Sequence, residues 1–203
     1  MYIKLLKKIT KTNMSETNLP DDKSLEYGVE KERSRSILTA DYLQSLASSE
    51  NEMSVHIYEQ SIKILKGKPD EVQHIPRFGD KPLFMLHSHP KHGGDQPSIA
   101  DLNSAELYQM YSDMPDLKLF IFTVRGITEY GLTSSLVSHL SETDDEFREY
   151  YSDWLKKTFG EEKPDGKTIS TRFNEEHNTS TFYPWQSEKA SQLVEDFRTK
   201  KRN

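Results

Sequence analysis

The sequence contains no cysteine among its 203 residues. Disulfides are therefore excluded, and a bound metal has to be held by His, Asp or Glu side chains. Long apolar runs are also absent, since 33% of the residues are hydrophobic and 30% are charged, and no segment has the composition of a membrane span. The net charge of −6 argues against a general nucleic-acid-binding protein. These properties predict a cytoplasmic location, with neither nucleic acid nor a membrane as partner.

The most informative pattern is an apolar run that leads into two histidines. Residues 83–90 read LFMLHSHP, and a short apolar run of this kind predicts a buried strand. Because alternate residues of a strand share one face, His87 and His89 are predicted to present both imidazoles to the same point. Pro90 cannot donate a hydrogen bond to a neighbouring strand, so the strand is expected to end there.

A carboxylate follows this strand after a loop that contains Gly93-Gly94. The backbone freedom of glycine allows the chain to fold back and to bring Asp101 to the end of the strand. Two imidazoles, one carboxylate and an open position form the ligand set of a catalytic zinc site, in which zinc lowers the pKa of water. A second interpretation makes Ser98 and Asp101 the N-cap pair of a helix over 98–112. The two roles are compatible.

These residues resemble the JAMM (MPN+/JAB) metalloprotease motif, a histidine-x-histidine followed by serine-x-x-aspartate, with a glutamate upstream. The matching segments are 87–90, HSHP, and 97–102, PSIADL, and the resemblance covers about residues 24–132. It implies one zinc ion per chain, held by His87, His89 and Asp101. It also implies cleavage of isopeptide or peptide bonds in conjugates of ubiquitin-like proteins, a deubiquitinase-like activity. The loop between His89 and Ser98 is one residue longer than in the usual motif, which a flexible loop accommodates.

The resemblance calls for a glutamate that takes a proton from the attacking water and passes it to the leaving amine. Glu26 is predicted for this role, because Glu26-x-Gly28 on a predicted strand over 25–30 is similar to the usual context in the family. Glu30 is the alternative, and both can also be solvated carboxylates of an edge strand. The Ser98 hydroxyl is predicted to stabilise the developing oxyanion.

Periodicity and turn residues divide the chain into three parts: an N-terminal segment or linker over 1–23, a catalytic domain over 24–140, and a helical extension over 141–203. The predicted fold is α/β, a mixed, curved sheet of about six strands flanked by helices, with MPN-like or cytidine-deaminase-like layering. Strands are predicted over 25–30 and 35–40, and again over 117–124 and 127–132. Residues 41–52 and 133–143 are predicted to be loops, and 161–180 a polar segment rich in turns.

Two other functions are consistent with the same residues. Relatives that have lost ligands act as scaffolding or binding subunits on this fold, although all the ligands are present here. A hydrolase of the RadC type with a substrate other than a ubiquitin-like conjugate is the second alternative. The pattern does not specify the substrate protein or the oligomeric state.

Overall fold

A mixed sheet of seven strands organises the part of the chain that this computed structural model describes, residues 25–201 without 70, 73–75, 77–79, 91–93, 111–113, 115–116 and 144. The strands are β1 (Lys31–Ser34), β2 (Met53–Ile57), β3 (Ser61–Lys66), β4 (Phe84–Ser88), β5 (Lys118–Phe122), β6 (Gly126–Tyr130) and β7 (Ser180–Pro184). Their spatial order is β1-β3-β2-β4-β5-β6-β7. Only β4 and β5 are parallel among these pairs. The predicted α/β class is confirmed, and the predicted linker over 1–23 lies outside the described residues.

Six helices cover the two faces of the sheet: α1 (Ala40–Ala47), α2 (Ile99–Gln109), α3 (Ser134–Thr143), α4 (Phe147–Phe159), α5 (Gly166–His177) and α6 (Glu188–Thr199). The α2 helix lies in the crossover between the parallel strands β4 and β5, as a parallel connection requires. None of the helices among the described residues combines the length and hydropathy needed to cross a bilayer.

Each face of the sheet carries its own hydrophobic core. On one face, Leu43 of α1 and Phe197 of α6 pack with Phe84 and Phe120 of the sheet, and the ring of Phe197 stands edge-on to both phenylalanines. On the other face, α2 to α5 supply residues such as Leu102, Trp154 and Phe173. The predicted domain over 24–140 and the predicted extension over 141–203 thus contribute to the same sheet and to both hydrophobic cores.

A carboxylate links α2 to the C-terminal helices. Glu106 of α2 is 4% exposed, and its Oε1 accepts a hydrogen bond of 2.7 Å from the backbone N–H of Phe147, the first residue of α4. The residue before this helix, Glu146, makes no side-chain cap. Glu106 therefore satisfies one of the backbone donors that a helix start leaves unpaired.

The N-terminal elements differ from their sequence predictions. The strand predicted over 25–30 is reduced to a single bridge between Tyr27 and Lys66, and the strand predicted over 35–40 is a 3₁₀ turn, Arg35–Ile37. Arg35 is buried there, and its guanidinium donates to the backbone carbonyls of Phe197 and Lys200 at the end of α6. These hydrogen bonds fix Arg35 within the turn, so tertiary contacts override the alternating pattern.

Two segments predicted to be loops are helices. Residues 40–47 form α1, because Thr39 caps its start by accepting from Tyr42 N–H. Tyr42, Leu43 and Leu46 bury one helical face. Residues 134–143 form α3, with Leu136 buried against the second core. The segment 161–180, predicted to be rich in turns, contains the whole of α5 and the first residue of β7.

Candidate metal centre

The two histidines occupy the carboxyl end of β4. His87 lies within the strand, and His89 follows it, with its backbone N–H donating to the carbonyl of Phe122 in β5 over 3.2 Å. Strand alternation places both side chains on the α2 side of the sheet. Their Nε2 atoms are 3.2 Å apart. The predicted convergence of the two imidazoles is therefore present in the structure.

Asp101 reaches the histidines from the first turn of α2. Ser98 is the N-cap, and its Oγ accepts from Asp101 N–H over 3.2 Å. In return, Asp101 Oδ2 accepts from Ser98 N–H over 2.7 Å. The predicted capping pair is confirmed. The same carboxylate faces both imidazoles, with Oδ1 3.1 Å from His87 Nε2 and Oδ2 3.5 Å from His89 Nε2.

The spacing of these three groups fits a single metal ion. Ligand atoms about 2.0–2.1 Å from a tetrahedral metal lie about 3.3 Å from one another, and the three distances here are 3.1, 3.2 and 3.5 Å. Imidazole and carboxylate are also donors that zinc accepts. His87, His89 and Asp101 could therefore hold a metal ion.

The charges of His87, His89 and Asp101 shift the pKa values within the group. Burial alone would raise the pKa of the Asp101 carboxyl, but the charges and hydrogen bonds of His87 and His89 hold it well below its usual value. Burial would lower the pKa of His89, but the hydrogen bond and negative charge of Asp101, together with the Gly94 carbonyl and the charge of Glu52, outweigh burial and raise the pKa. The Asp101 carboxylate is thus kept ionised between the two imidazole rings, as a carboxylate that binds a metal has to be.

The loop after β4 orients His89. The carbonyl of Gly94 lies 2.8 Å from His89 Nδ1, and because a carbonyl only accepts, Nδ1 carries the hydrogen and Nε2 is the nitrogen that can bind a metal. The next residue, Asp95, anchors the loop to the β5–β6 turn. It accepts from Thr123 Oγ1 over 2.9 Å and pairs with Arg125 Nη2 at 2.6 Å.

A glutamate that the sequence analysis did not single out, Glu52, faces the same group. It directly precedes β2, and since Ser54 pairs with His87 across the antiparallel β2–β4 ladder, position 52 lies opposite His89. Its side chain lines one cavity together with His87 and Asp101. Burial raises the pKa of the Glu52 carboxyl, and the nearby imidazoles offset this only in part.

Glu26 and Glu30, the predicted bases, lie on another part of the sheet. Glu26 is exposed and belongs to the segment whose bridge joins Tyr27 to β3. Two strands, β3 and β2, separate that segment from β4, so its backbone is about 14 Å from that of β4 at the usual strand spacing. Glu30 pairs with Lys63 Nζ at 3.9 Å. The structure thus brings His87, His89 and Asp101 together and adds Glu52, not Glu26 or Glu30.

Ser98 is the N-cap of α2 and is also the residue predicted to stabilise an oxyanion, and substitutions can separate the two roles. Ser98→Ala is expected to lose about 1 kcal/mol of stability with the helix cap and to lower kcat about 10²–10³-fold if the hydroxyl stabilises an oxyanion. Ser98→Gly also lacks the hydroxyl but costs only a few tenths of a kcal/mol as an N-cap. The same loss of kcat in both variants, measured beside urea unfolding and metal content, would support the oxyanion role. An active Ser98→Gly protein would reduce Ser98 to a helix cap.

Comparisons of the chain with protein-family models, with curated proteins and with solved structures found no match. The resemblance to JAMM proteins therefore depends on the motif residues themselves, and membership of that family stays an expectation.

Proposed function

We propose that the chain is a zinc hydrolase of the JAMM type that cleaves amide bonds, with isopeptide or peptide bonds of ubiquitin-like conjugates as the expected substrates. One observation carries the proposal: His87, His89 and Asp101 converge at ligand spacing, and Glu52 lines the same cavity as His87 and Asp101. Three ligands and a neighbouring carboxylate are the parts that a catalytic zinc site requires.

His87, His89 and Asp101 would hold the ion. When bound, zinc would supply a Lewis acid that polarises the scissile carbonyl and makes water more acidic. No thiolate is available in a chain without cysteine, so these histidines and this carboxylate leave the ion with more positive charge than thiolate ligands would. The fixed Nδ1 hydrogen of His89 and the cap that holds Asp101 orient the ligand atoms before the metal arrives.

Glu52 is the proposed general base. Its raised pKa suits a group that has to accept a proton and then release it near neutral pH. Glu52 takes a proton from water as the water oxygen bonds to the carbonyl carbon. It then gives that proton to the nitrogen as the C–N bond breaks, so that the products are a carboxylic acid and an amine. The Ser98 hydroxyl, which accepts from Asp101 N–H, can at the same time donate to the developing oxyanion.

The proposal is tested by metal analysis and by removal of the metal. Purified protein is expected to contain one zinc ion per chain, to hydrolyse peptide-linked or isopeptide-linked conjugates from a panel of ubiquitin-like proteins, and to lose this activity when a chelator removes the zinc. Added zinc should restore the activity. Protein that binds no zinc would contradict the proposal, and zinc binding without cleavage of any conjugate or peptide would favour a scaffolding role. The cytoplasmic location and the ubiquitin-like partner stay predictions from the sequence.

A further inference from the structure

The cavity beside the metal-binding group has a largely apolar wall. It encloses about 400 Å³, within the size range of pockets for small ligands and side chains. The apolar part of the wall is formed by the side chains of Val72, Met85, Leu107, Tyr108 and Leu119. The carboxylates on the described wall, Glu52 and Asp101, belong to its metal-binding end.

We infer that this cavity binds a bulky apolar side chain, preferably aromatic, of the substrate residue whose nitrogen is the leaving group, so that of the two expected bond types a peptide bond is preferred to a lysine isopeptide bond. The inference rests on the proposed function, because Glu52 protonates that nitrogen. Glu52 lines the cavity, whereas Ser98, on the oxyanion side, is not among the described residues that line it. The leaving side of the substrate therefore enters the cavity, and the oxyanion faces away from it.

Size and polarity determine what the cavity favours. Glycine would leave the apolar wall without a partner, and a straight lysine stem would leave much of the volume unfilled. Since unfilled space loses dispersion contacts on every side of the wall, a phenylalanine or leucine side chain gains more than either. Burial of that side chain also removes apolar surface from water, in proportion to its area.

Zinc-binding thiols that extend only on the leaving-group side test this directly. The probes are mercaptoacetyl-Gly-amide, mercaptoacetyl-Leu-amide, mercaptoacetyl-Phe-amide and mercaptoacetyl-n-butylamide, the last of which imitates a lysine stem. Their thiolates bind zinc, and their amide nitrogens follow one carbon further from the sulfur than the leaving nitrogen lies from the scissile oxygen, so the variable side chain is placed next to the leaving-amine position. Calorimetric titration of the zinc-loaded protein is expected to show that the Phe and Leu compounds bind at least about tenfold more tightly than the Gly compound. The butylamide should bind more weakly than the Phe compound.

A matched pair of variants locates the effect. Leu107 lines the cavity and is 55% exposed, so Leu107→Asp is tolerated by the fold and places a charge at the rim. It should remove most of the preference for the Phe compound and leave the Gly compound unchanged. Val29, which is 42% exposed on the N-terminal side of β1, supplies the control Val29→Asp, and this variant should keep the preference.

The outcomes separate the cavity from the metal site. Equal affinity for the Gly and Phe compounds would overturn the inference while the zinc site stands. A butylamide as tight as the Phe compound would also overturn it, in favour of a lysine stem. If no thiol binds, the inference fails together with the proposed function.

Discussion

Replacement of His87 by alanine is expected to abolish stoichiometric zinc binding. The side chain is one of the three proposed ligands, and its loss also leaves Asp101 without a partner at 3.1 Å. Even loss of a group that only supports a ligand costs about 10–100-fold in metal affinity, so loss of a ligand should cost more. Competition with a chromophoric chelator measures the affinity, and the rise in Tm with added zinc gives a second reading, because a ligand stabilises the folded state that binds it.

The control for this variant is His139→Ala. His139 is exposed on α3, where its ring contacts Tyr150, so its removal deletes an imidazole without approaching the metal-binding group. The control protein should bind zinc as the unaltered protein does. A His87→Ala protein that still holds one equivalent of zinc with unchanged affinity would refute the assigned ligand set.

Glu52→Gln is expected to lower kcat about 10²–10⁴-fold, the usual contribution of a general base, and to leave zinc binding nearly intact. Glutamine has the shape of glutamate but cannot accept the proton of water. Steady-state hydrolysis, together with the zinc content of the same preparation, measures both parts of this prediction.

Glu26→Gln provides the comparison that distinguishes the structural assignment from the sequence-based one. Glu26 is exposed and two strands removed from β4, so this variant should retain full activity. The opposite result, an inactive Glu26→Gln protein beside an active Glu52→Gln protein, would return the role to Glu26.

The convergence of His87, His89 and Asp101, the candidate metal ligands, could be predicted from the sequence because their geometry is local. The apolar run and the i, i+2 spacing determine which face His87 and His89 share. Asp101 follows after one loop, at the start of a helix that Ser98 caps. Strand alternation and helix capping are short-range rules, and both act here within a few residues.

The proposed base, Glu52, could not be predicted in the same way, because its position depends on the pairing of distant segments. Glu52 lies beside the site because the antiparallel register pairs Ser54 with His87. The residues around Glu52 in the sequence do not predict this pairing. The segment 41–52 is predicted to be a loop, whereas most of it belongs to the helix α1 (Ala40–Ala47). The residues that follow this helix lead into β2. The spacing of the apolar residues Tyr42, Leu43 and Leu46 is typical of one face of a helix and could have predicted α1.

The contact between Glu106 and the start of α4 has a mechanical consequence. The helix α2 carries Asp101 in its first turn. Five residues further along the same helix, Glu106 accepts the hydrogen bond from the first residue of α4. A displacement of α4 is therefore expected to move α2 and, with it, Asp101, which is one of the three residues that would hold a metal ion. A substitution that displaces α4 is thus expected to change the affinity for a metal ion without altering any of the three proposed ligands.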